Sequence, residues 1–307
     1  MPVTRLLSTA ILLALLGACT GLPTRTLSTP EPGTAPEAVV DATAASEPVG
    51  PRANDNLNAV AWFQTSVEYR LIAGQAWRGA LVQLDRAIKT PGWDALTRED
   101  RVTPVTASLP LAVIVDVDET VLDNSPYQAR VIRDNKSFDE FTWSEWVRES
   151  AAKPIPGALE FARAATARGV TVYYISNRAA DLSAVTVSNL RQAGFPIKDD
   201  SQFLGLGTVV DGCESEGSEK GCRRQLVGRS HRVLMQFGDQ IGDMVTVVAN
   251  NLPGREMAVR PYLGWVGERW FVLPNPMYGS WEPALFNNAW SQPEAERRQQ
   301  KLESLRY

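Results

Sequence analysis

The sequence is poor in two residue types on which many enzymes depend. Histidine occurs once among the 307 residues, as His231, and cysteine occurs three times. A single histidine excludes catalysis by a pair of histidines, and the sequence has no Gly-x-Ser-x-Gly elbow and no Gly-x-x-x-x-Gly-Lys loop. A cysteine followed by an arginine six positions later does occur, at Cys19 and Arg25. No strand is predicted before it, so we interpret this match as chance.

The sequence also lacks an excess of positive charge. Lysine and arginine total 31 against 35 acidic residues, which gives a net charge of -4. There is therefore no basic surface that would indicate a nucleic acid polymer as a partner. An anionic ligand would have to be held by local charges or by a metal ion. The hydrophobic content of 44% is enough to form the core of a large α/β domain.

The apolar run near the N terminus is short. It extends from Leu6 to Leu16 after Arg5, which is typical of a secretory signal and too short for a comfortable membrane span. Leu16-Gly-Ala-Cys19 resembles the bacterial lipobox, which implies removal of a signal peptide over residues 1–18 and lipidation of Cys19. Thr20 in place of aspartate favours an outer membrane lipoprotein that faces the periplasm or the cell surface. The alternative is an ordinary cleaved signal in which the cysteine is incidental.

Two further segments define the organisation of the chain. Residues 19–53 are rich in Pro, Thr, Ala, Glu and Gly and predict a disordered tether, which leaves residues 54–307 as the folded domain. Within that domain, Cys213 and Cys222 lie on one loop rich in Gly, Ser and Glu. In an oxidising compartment this pair predicts a disulfide, and two free thiols are the alternative.

The first part of the domain has a helical pattern after Asp55. We expect Gly74 and Gly79 to interrupt it, giving two helices or one kinked helix. Its apolar residues recur near the helical period and predict one buried stripe: Val60, Phe63, Val67, Leu71, Leu81 and Ile88.

An unbroken apolar run from Leu111 to Val115 leads into Asp116 and Asp118. Such a run predicts a strand buried on both faces, as in a parallel sheet. Ligands of open α/β sheets bind beyond the carboxyl ends of the strands, where these two carboxylates fall. Further strands are predicted at 170–176, 203–206 and 232–237, with helical segments between them, so we expect a parallel α/β fold.

The Asp-x-Asp-x-Thr sequence that begins at Asp116 resembles motif one of the haloacid dehalogenase-like phosphohydrolases. The longer stretch Val115-Asp-Val-Asp-Glu-Thr-Val-Leu-Asp-Asn-Ser-Pro-Tyr127 resembles more narrowly the bacterial class C nonspecific acid phosphatases, the lipoprotein e family. The resemblance implies a Rossmann-like parallel sheet flanked by helices, with a smaller helical portion formed by the N-terminal helices and the segment after motif one. It also implies Mg²⁺-dependent hydrolysis of small phosphomonoesters, such as 5'-nucleotides and aryl phosphates.

The same resemblance assigns catalytic roles to individual residues. Asp116 would be the nucleophile that forms an aspartyl-phosphate, and Asp118 the general acid and base. Ser176, at the end of a strand, would hydrogen-bond a phosphoryl oxygen, as in motif two. Lys220 would steady the charge between nucleophile and phosphate, as in motif three, although the neighbouring Arg223 and Arg224 leave the register open.

The metal site would combine motifs one and four. Gly238-Asp-Gln-Ile-Gly-Asp243 matches motif four, with Gln240 and Ile241 where the family commonly has Asn-Leu. By resemblance, Mg²⁺ would be bound by the carboxylates of Asp116 and Asp239 and by the backbone carbonyl of Asp118, with support from Asp243. Oxygen ligands of this kind suit Mg²⁺.

Three further residues are candidates for substrate contact. Asn177 follows Ser176, and the resemblance suggests that Trp143 and Tyr278 contact the leaving group. A packing role is the alternative for Trp143. The four acids together favour catalysis over a lipoprotein that binds haem or a metal without turnover. Among enzymes, a phosphotransferase on the same fold is the alternative.

Overall fold

The structure of the protein is a computed structural model that describes residues 53–215 and 217–307. The predicted signal peptide, Cys19 and all of the predicted tether except Ala53 lie outside these residues. Within the described ranges, no helix has the length and the hydrophobicity needed to cross a bilayer.

A five-stranded sheet in the order β5-β4-β1-β6-β7 forms the centre of the fold. Every pair of neighbouring strands is parallel, so the predicted parallel α/β sheet is confirmed. The strands are β1 Leu111–Val115, β4 Thr171–Ala179, β5 Phe203–Leu206, β6 Arg232–Gly238 and β7 Trp270–Val272.

Strand β1 is central because its apolar residues are buried on both faces. Val113 and Val115 contribute to one hydrophobic cluster, and Ala112 and Ile114 contribute to the other. Side chains alternate between the two faces of a strand, so an uninterrupted apolar run contributes to both layers. The residue that follows β1, Asp116, therefore emerges at the centre of the carboxyl edge.

Nine described α-helices accompany the sheet. They are α1 Leu57–Thr65, α2 Val67–Lys89, α3 Ser125–Arg133, α4 Glu140–Glu149, α5 Ala158–Ala167, α6 Ser183–Gln192, α7 Gly221–Ser230, α8 Leu252–Val259 and α9 Glu294–Glu303. Short 3-10 segments follow several elements, including Ile241–Asp243 directly after β6.

The predicted interruption of the N-terminal helix is at a different residue. Helix α2 passes through Gly74 and Gly79, and the break is at Ser66, which is extended and whose hydroxyl accepts the Tyr69 amide at 3.1 Å. A side chain that caps the following helix separates α1 from α2 more effectively than a helical glycine, which merely lowers helix propensity.

The predicted buried stripe is also wrong in part. Val67 and Leu71 are more than half exposed, whereas the buried face of α2 consists of Tyr69, Ala73, Gly74, Trp77, Ala80, Leu84 and Ala87. Small residues in this stripe allow α2 to approach α5 and the sheet closely. Trp77 fills the remaining space by stacking on Phe237 of β6, with ring centroids 4.3 Å apart.

The segment after β1 forms the predicted smaller helical portion. A two-stranded antiparallel pair, β2 Leu122–Asp123 and β3 Lys153–Pro154, holds α3 and α4 between its strands. This portion begins seven residues after β1 ends, so it starts beside the carboxyl edge of the sheet.

Candidate active site

The site residues lie at the carboxyl ends of three strands and at the start of one helix. Asp116 follows β1, Ser176 lies near the end of β4, and Asp239 follows β6. Lys220 immediately precedes α7. Because parallel strands end at the same edge of the sheet, the topology brings together residues that are far apart in sequence.

Three carboxylates converge at this edge. One carboxylate oxygen from each of Asp116, Asp239 and Asp243 lies within 4.8 Å of the other two. Asp243 is oriented by the 3-10 turn after β6, and its Oδ2 accepts the Gln240 amide at 2.9 Å. The side chain of Asp243 also packs against the backbone of Gly238, where a Cβ atom would lie 2.1 Å from Oδ2. The glycine of the motif-four sequence is therefore required sterically.

The proximity of these acids perturbs their ionisation. Burial raises the pKa of Asp116 well above its ordinary value, against the opposing charge of Lys220. Burial, together with the neighbouring Asp243, raises the pKa of Asp239 to about 7. Both carboxylates therefore lie where additional positive charge would favour their ionised forms.

Lys220 supplies a positive charge within this group. Its Nζ donates to Asp116, to Asp243 Oδ1 at 2.7 Å and to the Ile175 carbonyl at 3.0 Å. Burial lowers the pKa of Lys220, but the two adjacent carboxylates more than offset this and the net pKa is raised. The lysine is therefore a fixed ammonium between the nucleophile candidate and motif four.

The carboxylate of Asp118 lies outside the cluster of three and has partners of its own. Its Oδ2 accepts from Ser176 Oγ at 3.1 Å, and its Oδ1 accepts from Arg178 Nε and Asn124 Nδ2, both at 2.9 Å. The side chain keeps 18% of its surface exposed. Asp118 is thus oriented by three donors and separated from the acids that could bind a cation.

Ser176 and Asn177 differ in their surroundings. Ser176 is fully buried, and its hydroxyl accepts the Arg178 amide at 3.0 Å while donating to Asp118. Asn177 is exposed, and its Oδ1 accepts from Arg223 Nη2 at 2.7 Å. The amide nitrogen of the Asn177 side chain has no hydrogen-bond partner among the described residues and is available to a ligand.

The two aromatic candidates lie on different sides of the motif-one loop. The Trp143 ring is 5.5 Å from the Arg178 guanidinium, and it also packs edge to face on Tyr127 at 5.2 Å. The Tyr278 hydroxyl donates to Glu119, and the Tyr278 carbonyl accepts from Gln240 at 3.3 Å. Each aromatic is therefore connected to a residue that touches the site.

Three residues near the site were absent from the sequence-based assignments. Arg178 is 1% exposed and holds both Asp118 and Asn124. Glu119 is fully buried with a φ of 57°, a strained conformation for a residue with a side chain. Asn275 donates to Asp239 Oδ2 at 2.7 Å from the loop after β7.

Only Arg178 had a sequence signal that could have identified it. It follows directly after the strand that carries Ser176, and a buried arginine requires a carboxylate partner. Glu119 and Asn275 acquire their partners Tyr278 and Asp239 from tertiary contacts between loops, which hydrophobic periodicity does not report.

A disulfide connects the loop before Lys220 to the first turn of α7. Cys213 and Cys222 are bonded, with Cα atoms 5.6 Å apart. Cys19 lies outside the described residues.

The donor set at the carboxyl edge fits a divalent cation. Three carboxylates provide hard oxygen ligands, and Lys220 contributes one positive charge against them. Hard oxygen donors around a small space are the environment that Mg²⁺, Ca²⁺ and Mn²⁺ prefer. Asp116, Asp239 and Asp243 are thus the residues whose side chains would hold such an ion.

Comparisons with known proteins identify the family of this chain. Residues 83–281 match the family model of the HAD superfamily, subfamily IIIB (acid phosphatase). The structure is similar to that of the class C acid phosphatase from Bacillus anthracis with tungstate bound, with a TM-score of 0.70 and 29% sequence identity over 82% of this chain and 97% of that chain.

Two plant proteins are similar over a shorter region. Acid phosphatase 1 from Solanum lycopersicum is 28% identical over 165 residues, which is 54% of this chain and 57% of that protein. A stem 31 kDa glycoprotein from Glycine max is 28% identical over 165 residues, 54% of this chain and 58% of that protein. The chain thus spans a little over half the length of these curated relatives.

Proposed function

The chain belongs to the acid phosphatases of the HAD superfamily, subfamily IIIB, and from this premise we propose that it hydrolyses small phosphomonoesters with Mg²⁺ and through an aspartyl-phosphate on Asp116. The observation that carries the proposal is the pairing of two differently placed aspartates at one strand end. Asp116 lies among Lys220, Asp239 and Asp243, and Asp118 lies among Ser176, Arg178 and Asn124.

This separation suits two different roles. A nucleophile must be ionised and close to positive charge, which Lys220 provides for Asp116. A general acid must reach the leaving oxygen, and the Asp118 side chain is partly exposed to solvent. A protein that only bound a ligand would have no need for this combination.

The reaction would proceed in two displacements. Asp116 attacks phosphorus, and Asp118 gives a proton to the departing oxygen. Asp118 then takes a proton from the water that attacks the phosphorus of the aspartyl-phosphate, which releases phosphate and restores Asp116. The second displacement mirrors the first, so one residue acts as acid and then as base.

The other residues would stabilise charge on the phosphoryl oxygens. Ser176 Oγ and Lys220 Nζ are donors near Asp116 and Asp118, and donors fixed in place before the reaction are the most effective. The Mg²⁺ ion, when bound, would supply positive charge that offsets repulsion between the carboxylates and the phosphoryl group. Asp116, Asp239 and Asp243 would be its side-chain ligands, and the backbone carbonyl of Asp118 would complete the protein contribution.

The proposed substrates are 5'-nucleotides and aryl phosphates. Trp143 and Tyr278 are partly exposed aromatics beside the site, and the side-chain nitrogen of the exposed Asn177 has no hydrogen-bond partner among the described residues. Flat leaving groups stack favourably on such rings. We further propose that Cys19 carries the lipid of an outer membrane lipoprotein, which would give the enzyme access to substrates outside the cytoplasm.

The proposal is tested by an aryl phosphate assay at mildly acidic pH. We expect turnover that is lost with a chelator and restored by Mg²⁺, and we expect Asp116→Asn to reduce kcat by at least about a thousandfold. Asp85→Asn on α2 is a matched control, because that exposed carboxylate pairs with Arg168 at 2.9 Å and lies outside the cluster of three acids.

The two rival functions give different results in the same experiment. A lipoprotein that merely binds haem or a metal would release no phosphate under any condition. A phosphotransferase would release the aryl alcohol faster than inorganic phosphate when an alcohol acceptor is added. Substantial activity in Asp116→Asn would reject the assigned nucleophile.

A further inference from the structure

The segment that leads to Lys220 contributes little to the hydrophobic core. Between the end of β5 at Leu206 and the start of α7 at Gly221, we call residues 207–219 the approach loop. Val210 is the one buried residue among those described in the loop, and the described part contains no helix and only one isolated bridge, between Val210 and Cys213. Segments with so few buried contacts open locally at low free energy.

Helix α7 is fixed by contacts that lie after Lys220. Arg223 Nη1 donates to the Ser176 carbonyl at 2.5 Å, and Arg224 Nε donates to Asp100 at 2.6 Å. Arg224 also donates to the Gly242 carbonyl at 2.8 Å. These buried arginines hold the body of the helix against the sheet.

The approach loop is bonded to α7 through backbone carbonyls and one covalent bond. Arg223 Nη2 reaches back to the carbonyls of Ser218 and Glu219, each at 3.2 Å, and Arg229 donates to the Asp211 carbonyl at 2.7 Å. The covalent connection on this side is the disulfide between Cys213 and Cys222. Cys222 is buried in the first turn of α7, two residues after Lys220.

The disulfide therefore encloses Lys220 in a small covalent ring. The ring runs from Cys213 to Cys222, a sequence separation of 9, and Lys220 lies within it. Closing such a short loop removes most of the conformations that the chain would otherwise adopt. Lys220 must place Nζ between Asp116 and Asp243, where small displacements of a catalytic group lower rates strongly.

We propose that the Cys213–Cys222 disulfide positions Lys220 for phosphoryl transfer, so that reducing the bridge slows turnover while the domain remains folded. The inference rests on the proposed function, because it assumes the role of Lys220 in that reaction. Reduction breaks the S–S bond and adds two electrons and two protons to give two thiols, and an added dithiol is oxidised to its own disulfide.

The experiment compares kcat and KM for an aryl phosphate in the full-length protein before and after treatment with a dithiol, with Mg²⁺ in excess. Mass spectrometry verifies that the bridge is open, and near-ultraviolet circular dichroism verifies that the domain is folded. We expect kcat to fall about tenfold or more and KM to change by less than about twofold. The double variant Cys213→Ser/Cys222→Ser should show the same loss without the dithiol and no further loss with it.

A double-mutant cycle with Lys220→Ala distinguishes positioning from a general structural effect. If the bridge acts through Lys220, opening it in the Lys220→Ala background should leave kcat unchanged, since coupled residues are not additive. An equal additional loss in that background would overturn the proposal, and so would unchanged kcat in the opened wild-type chain. Loss of the folded signal together with activity would also overturn it, because the bridge would then stabilise the whole domain.

The proposed function can fail separately. If Lys220→Ala retains full activity, the role assigned to Lys220 is wrong whatever the bridge does. If Lys220→Ala has a low kcat and the wild-type protein with a reduced disulfide keeps its full kcat, the proposed function stands and the inference about the bridge fails.

Discussion

At the scale of single residues, Arg178 connects most of the groups around Asp118. Its guanidinium donates to Asp118 and to Asn124 Oδ1 at 3.1 Å, and Asn124 Oδ1 also accepts from Trp146 Nε1 at 2.8 Å. The Trp143 ring lies over the same guanidinium. Arg178 therefore joins the motif-one loop to the helical portion that follows it.

We expect Arg178→Gln to lower kcat about tenfold to a hundredfold, because Asp118 would lose its charged partner and its fixed orientation. Arg178→Lys should recover part of the loss, since it keeps the charge. Steady-state kinetics with an aryl phosphate measures both effects.

Arg148→Gln is the control for the same substitution on the surface. Arg148 is 54% exposed, and its nitrogen lies 3.8 Å from Asp181. The kcat of Arg148→Gln should match that of the wild-type protein. Equal kcat values in Arg178→Gln and Arg148→Gln would contradict the role given to Arg178.

The residues at the strand ends could be predicted from sequence, whereas their partners could not. An apolar strand followed by an acid places that acid at the carboxyl edge, which is why Asp116 and Asp239 were predictable. The contacts of Glu119 with Tyr278, and of Asn275 with Asp239, join loops more than 30 residues apart in sequence. Such pairings depend on how the loops pack, which periodicity does not report.

At the scale of secondary-structure elements, the contact between α2 and α5 depends on a glycine. Gly157 precedes α5 with a φ of 91°, and a Cβ atom there would lie 3.0 Å from the Cβ atom of Trp77. Trp77 in turn stacks on Phe237, whose carbonyl accepts the Asp116 amide at 2.9 Å. Trp77 of α2 thus contacts the residue of β6 that is hydrogen-bonded to the backbone of Asp116.

We expect Gly157→Ala to lower the free energy of unfolding by more than Gly169→Ala, with a difference of about 1–3 kcal/mol. Gly169 has a similar φ of 75°, but a Cβ atom added there would meet no other atom within 4 Å. Both substitutions strain the backbone, so the comparison isolates the clash with Trp77. Urea unfolding measures this difference in the free energy of unfolding. Equal decreases in the two variants would show that the added Cβ atom at position 157 does not clash with Trp77.

Helix α2 also shows why its boundary was difficult to predict. Both glycines of the pattern remain helical because the small buried face of α2 is packed against α5 and the sheet. The cap at Ser66 depends on a hydroxyl that many surface serines could provide. Tertiary packing therefore overrode the propensity on which the predicted interruption was based.

At the scale of the whole molecule, the fold and its acidic centre are coupled. Asp116, Asp239 and Asp243 approach one another only when β1 and β6 pair, so a cation that binds them stabilises the folded state. A parallel α/β sheet could be predicted, because apolar runs alternated with helical segments. The positions of the aromatics around the opening could not, since they depend on the helical portion after β1.

We expect Mg²⁺ at a hundredfold excess over its Kd to raise the free energy of unfolding by about 2.7 kcal/mol. Asp239→Asn should lose most of this increment, and Asp85→Asn should keep it. Thermal or urea unfolding with and without Mg²⁺ measures the difference without relying on activity. An increment of equal size in both variants would mean that the cation binds elsewhere.

The most direct test of the central claim is to trap the phosphorylated enzyme. Borohydride reduces an acyl phosphate, so quenching the enzyme during turnover with tritiated borohydride should convert the phosphorylated aspartate to labelled homoserine. We predict that peptide sequencing places the label at position 116. A label at Asp118, Asp239 or any other carboxylate, with none at Asp116, would contradict the account.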